Sequence, residues 1–266
     1  MKKSFKRRPR RFFSENILTQ SGEQIFLNAG ESVHLRTTLR LDPGAVVLLT
    51  DPSGREAEAV IEGYEADGRA ALKLIELGPC PQAGRIFVRL YAAMAKGGVT
   101  DELVEKASEL GIEEFHPIVT ERTEVRTFGE KSQRQLERWY KIAREAAKQS
   151  GGRKELVLFE PEILAQAVKK AGPTGRHVFL DPYEGDAVDL KTWLESMDLL
   201  LKKQNHLELN LYFGPEGGFS RPELEAARKT LAEAGAVCHW VHLGARLLRL
   251  DTAVVSVLAA VKLILT

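Results

Sequence analysis

The residues best placed to do chemistry lie in three loops, each following an apolar run and preceding a helical pattern: "FLDPYEG", "YFGPEGGFS" and "VHLGARLLRLDT". The second raises a question of charge. A glycine-rich turn between a strand and a helix often cradles phosphate, because backbone N–H groups and the helix N-terminus converge on an anion. Here Glu216 sits in the middle of Gly214-Pro215-Glu216-Gly217-Gly218, a like charge to any phosphate. Neither the G-x-x-x-x-G-K-[ST] pattern nor G-x-G-x-x-G is present. A neutral or cationic ligand suits the loop better, held by the close backbone approach that Gly214, Gly217 and Gly218 allow. S-adenosylmethionine, with its sulfonium and amino group, meets that description. The alternative is a plain helix-entry turn whose glycines serve geometry only.

In the third loop, Arg246, Arg249 and Asp251 follow Gly244 at the mouth of the apolar segment "TAVVSVLAAVKLIL". Two arginines so close to a buried segment are a poor match to a solvated face. They are either a functional pair or a structural Arg–Asp pair capping the last helix. The two cysteines, Cys80 and Cys238, are far apart and lack metal spacing. They point to a reducing, cytoplasmic setting and to no metal site.

The elements that must position these loops fall into two sets. Residues 24–78 read as short strands, "QIFL", "AVVLLT", "EAEAVIEGY" and "RAALKLIEL", separated by Asp-Pro-Gly, Asp-Pro-Ser-Gly and Asp-Gly turns. Even spacing of this kind suggests a small barrel. A helix near Glu31 to Leu41 would put Arg36 and Arg40 on one face. "GPCPQAG" is the best linker, giving expected domains of 1–82 and 83–266. Past it, strands alternate with helices, the pattern of a mostly parallel sheet whose ligands bind beyond the strands' carboxyl ends. Thr100 is a candidate N-cap, Ser132-Gln133-Arg134-Gln135 a candidate capping box, and Ser220-Arg221-Pro222-Glu223 a strong helix start. The C-terminal apolar run is too short for a bilayer span and contains Lys262, so it reads as a buried helix, with no membrane role.

Charge is uneven although the net is only +1 over 266 residues. The opening "MKKSFKRRPRRFF" carries seven positive charges and no acid, with no apolar h-region behind it, so a signal peptide is not expected. Residues 12–82 hold eleven acids against five bases, and residues 122–154 hold ten bases against four acids. Each basic stretch alone is as well explained by solvation. Together they favour contact with nucleic-acid phosphates.

"FGPEGGFS" followed by "LGARLLRLDTA" resembles the RsmE family of 16S ribosomal RNA uridine-N3 methyltransferases, within the SPOUT class. "RRFF", "HLRTTLRLDPGAVVLLTDPSG", "KASELGIEEFHPIVTER" and "REAAKQSG" extend the resemblance, in family order, over nearly the whole chain. It implies a PUA-like β-barrel followed by an α/β domain with a C-terminal trefoil knot, a rare exception to the rule against knots. It also implies a homodimer packed through the knotted region. S-adenosylmethionine would be held by Leu180, Asp181 and Pro182; by Phe213, Gly214, Pro215, Glu216, Gly217 and Gly218; and by Leu243, Gly244, Leu247 and Leu248, with Thr252 below. Asp251 and Leu250 stand where the family commonly has Glu and Thr. The 16S rRNA of the small subunit would be met by Arg10, Arg11, Arg36, Arg40, Lys96, Arg122, Arg144 and Arg153.

On that template the catalytic candidates are Arg249 first, Arg246 second, and Asp251. Methylating uridine N3 requires loss of its proton and stabilisation of the resulting anion. An arginine can provide the stabilisation, and Asp251 or Glu216 can take the proton or orient an arginine. Two other readings are compatible with the residues: a SPOUT methyltransferase acting on another RNA such as tRNA, and a non-catalytic ribosome-assembly factor that kept the fold.

Overall fold

The computed structural model describes residues 10–81, 84–125, 129–181 and 186–265. Its contacts divide the chain into two units, residues 1–83 with 147–155, and residues 84–146 with 156–266.

The first unit holds β1 (Arg11–Phe13), β2 (Gln24–Phe26), α1 (Ala29–Val33), β3 (Val46–Thr50), β4 (Glu56–Tyr64) and β5 (Ala70–Leu77). The strands pair in the order β1-β3-β4-β5-β2. All pairs are antiparallel except β1 with β3, which is parallel and was not anticipated. Alternate residues of β4 point inward, and Ala57, Ala59 and Ile61 pack with Phe12, Leu35, Leu49 and Leu72. The helix expected over 31–41 is shorter. After Val33 the chain takes a π-helical turn, His34–Thr38, and Arg40 adopts φ +50°. Arg36 and Arg40 therefore do not share a helical face. Arg36 lies over the Tyr64 ring, 5.5 Å from its centroid.

Basic residues of the N-terminal stretch and of the stretch 122–154 are bound into this unit. Arg11 donates to Thr50 Oγ1 at 2.9 Å and pairs with Glu56 at 2.6 Å, its side chain only 11% exposed. Lys148 pairs with Glu31 at 2.9 Å, both side chains buried. Arg153 pairs with Glu56 at 3.1 Å but keeps about half its surface. Lys2, Lys3, Lys6, Arg7 and Arg8 lie outside the described residues.

The second unit runs β6 (Ile86–Ala93), α2 (Val99–Glu109), β7 (Glu114–Val119), α3 (Glu130–Ser150), β8 (Val157–Leu158), β9 (Glu162–Ile163), α4 (Leu164–Ala171), β10 (Arg176–Leu180), β11 (Val188–Asp189), α5 (Leu190–Gln204), β12 (Leu207–Phe213), α6 (Arg221–Glu233), β13 (Val237–His242) and α7 (Leu250–Ile264). The last residues of α3 group with the first unit. The strand order is β11-β13-β10-β12-β6-β7-β8, with β9 also on β7, and every pair is parallel. Strands buried on both faces read as near-continuous apolar runs, and "LELNLYF" is one. Its Leu207, Leu209, Leu211 and Phe213 enter the core shared with Leu103, Trp139, Trp193 and Val257, from helices α2, α3, α5 and α7. Tyr212 enters the opposite core with Leu164, Phe179, Leu224 and Trp240. Among the described residues, no helix is long and apolar enough to cross a membrane.

The helix starts differ in how they are capped. Ser220 caps α6, accepting from Glu223 N–H at 3.4 Å, while Glu223 accepts from Ser220 N–H at 3.0 Å; Pro222 lies in the first turn. Thr100 is not the cap of α2. Gly98, at φ +85°, takes that position, and the Thr100 hydroxyl turns back to the N–H and carbonyl of Ala95. Ser132 is likewise inside α3, which starts at Glu130, and its hydroxyl donates to the Gly129 carbonyl.

Candidate active site at the strand ends

Strands β12, β10 and β13 lie side by side in register: Leu180 pairs with Phe213 on one side and Val241 on the other. Their carboxyl ends therefore open at the same level, and the loops that follow converge. The first wall of the resulting pocket is Leu180 and Asp181. The second is the β12–α6 loop, and the third is the β13–α7 loop with the start of α7. The pocket encloses about 690 Å3, part of it open to solvent.

In the second wall, Gly218 N–H donates to the Pro215 carbonyl at 2.8 Å, closing a tight turn with Glu216 and Gly217 at its tip. At Gly214 an added Cβ would stand 3.1 Å from Phe219 N, so a side chain there would require the loop backbone to give way. Glu216 is exposed and lines the pocket. In the third wall Gly244 takes φ +95°, and its N–H donates to His242 Nδ1 at 3.1 Å. That bond leaves the neutral imidazole's proton on Nε2.

Of the residues expected at the cofactor, Leu180, Asp181, Phe213, Gly214, Pro215, Glu216, Gly218, Leu243, Gly244, Leu247 and Leu248 line this one pocket. Pro182 lies outside the described residues. Gly217 is at the loop's outer side, where its carbonyl accepts from Arg122. Thr252 is not among the lining residues; its N–H donates to Asp251 Oδ1 at 2.8 Å in the first turn of α7. Val241, His242, Leu250 and Ala253 line the pocket and were not anticipated. His242 was detectable, standing two residues before a glycine in a loop already singled out. Leu250 and Ala253 sit one helical turn apart, the spacing of a helix's inner face.

The catalytic candidates separate. Arg246 lines the pocket. Arg249 is the N-cap residue of α7, with 73% of its side chain exposed and Nε 3.8 Å from Asp251 Oδ1. At that distance the pair is loose, and exposed pairs contribute ~0–1 kcal/mol.

Two expected RNA contacts lie on neighbouring strand ends. Lys96, after β6, pairs with Glu124 at 2.7 Å, and this holds the Glu124 carboxyl below its ordinary value. Arg122, after β7, braces the Gly217 carbonyl, and next to it Glu121 N–H donates to Glu223 Oε1 at 2.7 Å. The turn after β7 thus clamps both the glycine loop and the first turn of α6.

The RNA methyltransferase domain family matches residues 83–262, the whole of the unit that carries this pocket up to the last turn of α7. Ribosomal RNA small subunit methyltransferase E of Synechocystis is 31% identical over 245 residues, covering 91% of this chain and 73% of the relative. This chain belongs to that family. Its member from Bacillus subtilis is 26% identical over 253 residues, covering 94% of this chain and 95% of the relative. The crystal structure of the family member from Neisseria gonorrhoeae, bound to S-adenosyl methionine, superposes with a TM-score of 0.77 at 25% identity, over 96% of this chain and 97% of the other. The family's mixed α/β architecture, a curled sheet followed by a parallel one, is the architecture found here.

The donor set fits that cofactor. Leu180, Phe213, Leu243, Leu248 and Leu250 offer apolar walls for an adenine, while Glu216 supplies a negative charge suited to a sulfonium or an ammonium.

Proposed function

We propose that this protein methylates N3 of one uridine in 16S ribosomal RNA, using S-adenosylmethionine. Family membership supports methyl transfer to small-subunit ribosomal RNA. The observation that carries the site assignment is the convergence of the Gly214–Gly218 and His242–Leu248 loops on one pocket at three in-register strand ends.

When bound, S-adenosylmethionine supplies the methyl group. The chain's residues have the remaining tasks. The three loops hold the donor in place, and placement alone provides much of the rate in such transfers. The uracil N3 proton must leave, and charge then spreads over O2 and O4. Arg246, on the pocket wall, is assigned the stabilisation of that charge, a role worth ~3–4 kcal/mol where comparable donors have been removed. Arg249 becomes the second candidate, because its place at the helix N-cap is outside the pocket lining. Asp251 is assigned to orient Arg249, and Glu216, exposed on the pocket wall, is assigned to take the proton. The target base must be unpaired or flipped to present its Watson–Crick edge.

The first unit is assigned as a PUA-like RNA-binding barrel, with Arg10 and Arg36 as exposed contacts. The second is assigned as a SPOUT domain in which β13 and α7 complete a trefoil knot. Leu263 and Ile264, 81% and 51% exposed, and Leu247 at 69% provide apolar surface for a homodimer through that region. Leu263→Asp should convert the dimer to a monomer in light scattering; a monomeric wild type would remove the dimer.

The deciding experiment is methyl transfer. Labelled S-adenosylmethionine is incubated with small subunits from cells lacking this modification, and the label is mapped by mass spectrometry. Label at N3 of a single 16S uridine is the expected result. Cofactor binding with no label on subunits or naked 16S RNA would point to another RNA, and absence of both would leave only a non-catalytic role.

A further inference from the structure

On the sheet face opposite α7, six rings stack across five strands. Trp240, Phe179, Tyr212, Tyr91, His116 and Phe159 follow one another with centroids 4.8, 4.4, 4.5, 4.4 and 4.0 Å apart and interplanar angles of 25° or less. The first four are buried under α4 and α6. The stack does not end in the core. His116 is 8% exposed, and Phe159, just past β8 at the sheet edge, is 38% exposed. A second pocket opens there, enclosing about 770 Å3 with its open part and separate from the cofactor pocket. Arg89, Glu114, Glu162 and Lys170 line it beside His116 and Phe159.

The acids of this pocket are already matched. Glu114 is held by Arg89 at 3.0 Å and by His116 at 2.9 Å, and Glu162 by Lys170 at 2.6 Å. Arg89 is shared with Glu208 at 2.8 Å, so these ion pairs reduce the repulsion of a polyanion without cancelling it. Its inner wall includes Asn210, whose Oδ1 has no hydrogen-bond partner among the described residues. A second exposed aromatic, Tyr140 of the basic helix α3, is anchored beside it, its hydroxyl donating to the Leu158 carbonyl at 3.1 Å. An open aromatic ring backed by a rigid stack, with hydrogen-bonding groups around it, is what an unpaired base requires.

We infer that Phe159 and its pocket form a second docking site, for an unpaired nucleobase of the RNA substrate, distinct from the site that takes the methylated base. The base stacks on Phe159 as the seventh ring of the series. A base bearing an amino group is favoured, because Asn210 Oδ1, an acceptor in the pocket's inner wall, has no partner among the described residues. This inference rests on the reading of RNA as substrate.

The test uses a fluorescein-labelled single-stranded RNA 12-mer of mixed sequence, a duplex of the same sequence, and full-length protein. Phe159→Ala should weaken single-strand binding about 5- to 150-fold, the range one base–aromatic stack carries. Phe159→Trp should restore it, and duplex and S-adenosylmethionine binding should be unchanged in both. Equal single-strand affinity for wild type and Phe159→Ala would overturn the site, as would full affinity in Phe159→Leu, which keeps apolar bulk without a ring. A wild type that does not bind the 12-mer would overturn it too. The two readings fail separately. Phe159-dependent binding without methyl transfer to any subunit or 16S RNA leaves the site and removes the enzyme; methyl transfer that Phe159→Ala performs like wild type leaves the enzyme and removes the site.

Discussion

Arg246 and Arg249 are three residues apart and have different surroundings, so they make different predictions. Arg246 lines the cofactor pocket, and Arg246→Ala should lower single-turnover methyl transfer ~10²–10³-fold with S-adenosylmethionine affinity retained by calorimetry. Arg249 is mostly exposed, and Arg249→Ala should leave thermal stability within about 0.5 kcal/mol of wild type, so any loss of transfer there reports a role in the reaction and not in folding. Glu216→Gln, by removing the charge opposite a cationic ligand, should weaken S-adenosylmethionine about tenfold and affect S-adenosylhomocysteine less, since that product lacks the sulfonium. Equal losses for both would mean that Glu216 acts through the loop's shape. Arg246, Glu216 and the glycines were legible because charge and backbone freedom are residue properties. Which arginine faces the pocket was not legible, since it depends on where α7 begins.

At the scale of elements, the same limit explains which helix starts could be read. The capping box of α6 uses only local atoms, and the residues that make it lie within four positions. Ser220→Ala should cost ~1 kcal/mol and lower the melting temperature by a few degrees. Thr100 has a cap's identity without its role. Gly97 and Gly98, both at positive φ, turn the chain so that the hydroxyl meets Ala95 behind it. The π-helical turn at His34–Thr38 also has no local signature; there the Leu39 N–H reaches the His34 carbonyl five residues back. Strand spans were read closely because alternation is a one-dimensional signal, whereas the parallel pairing of β1 with β3 joins residues 37 positions apart, Arg11 with Leu48. The basic stretches were legible as charge but not as surface: Arg11 and Lys148 are spent on Glu56 and Glu31.

At the scale of the whole molecule, buried His177 makes stability depend on pH. Burial is the main cause that lowers its pKa from 6.5 to about 4, and its Nδ1 lies 3.0 Å from the Tyr212 hydroxyl. The unfolded chain binds a proton near pH 6.5 and the folded chain does not until about pH 4. Stability from this group is therefore complete above about pH 6.5 and is lost as pH falls toward 4, by up to ~3 kcal/mol. Melting temperatures between pH 7 and pH 4.5 should fall accordingly, and His177→Gln should flatten that dependence. A slope unchanged by the substitution would assign the effect to other groups.

The order in which the pocket's walls occur along the chain has a consequence for biosynthesis. Leu180 and Phe213 emerge from the ribosome well before Val241 to Ala253, and those later residues form the third wall. A nascent chain that has not yet exposed Val241 to Ala253 can fold its first unit and most of the parallel sheet but cannot close the pocket. The third wall is therefore the last of the three to be made, and the pocket depends on residues about sixty positions later in the chain than its first wall.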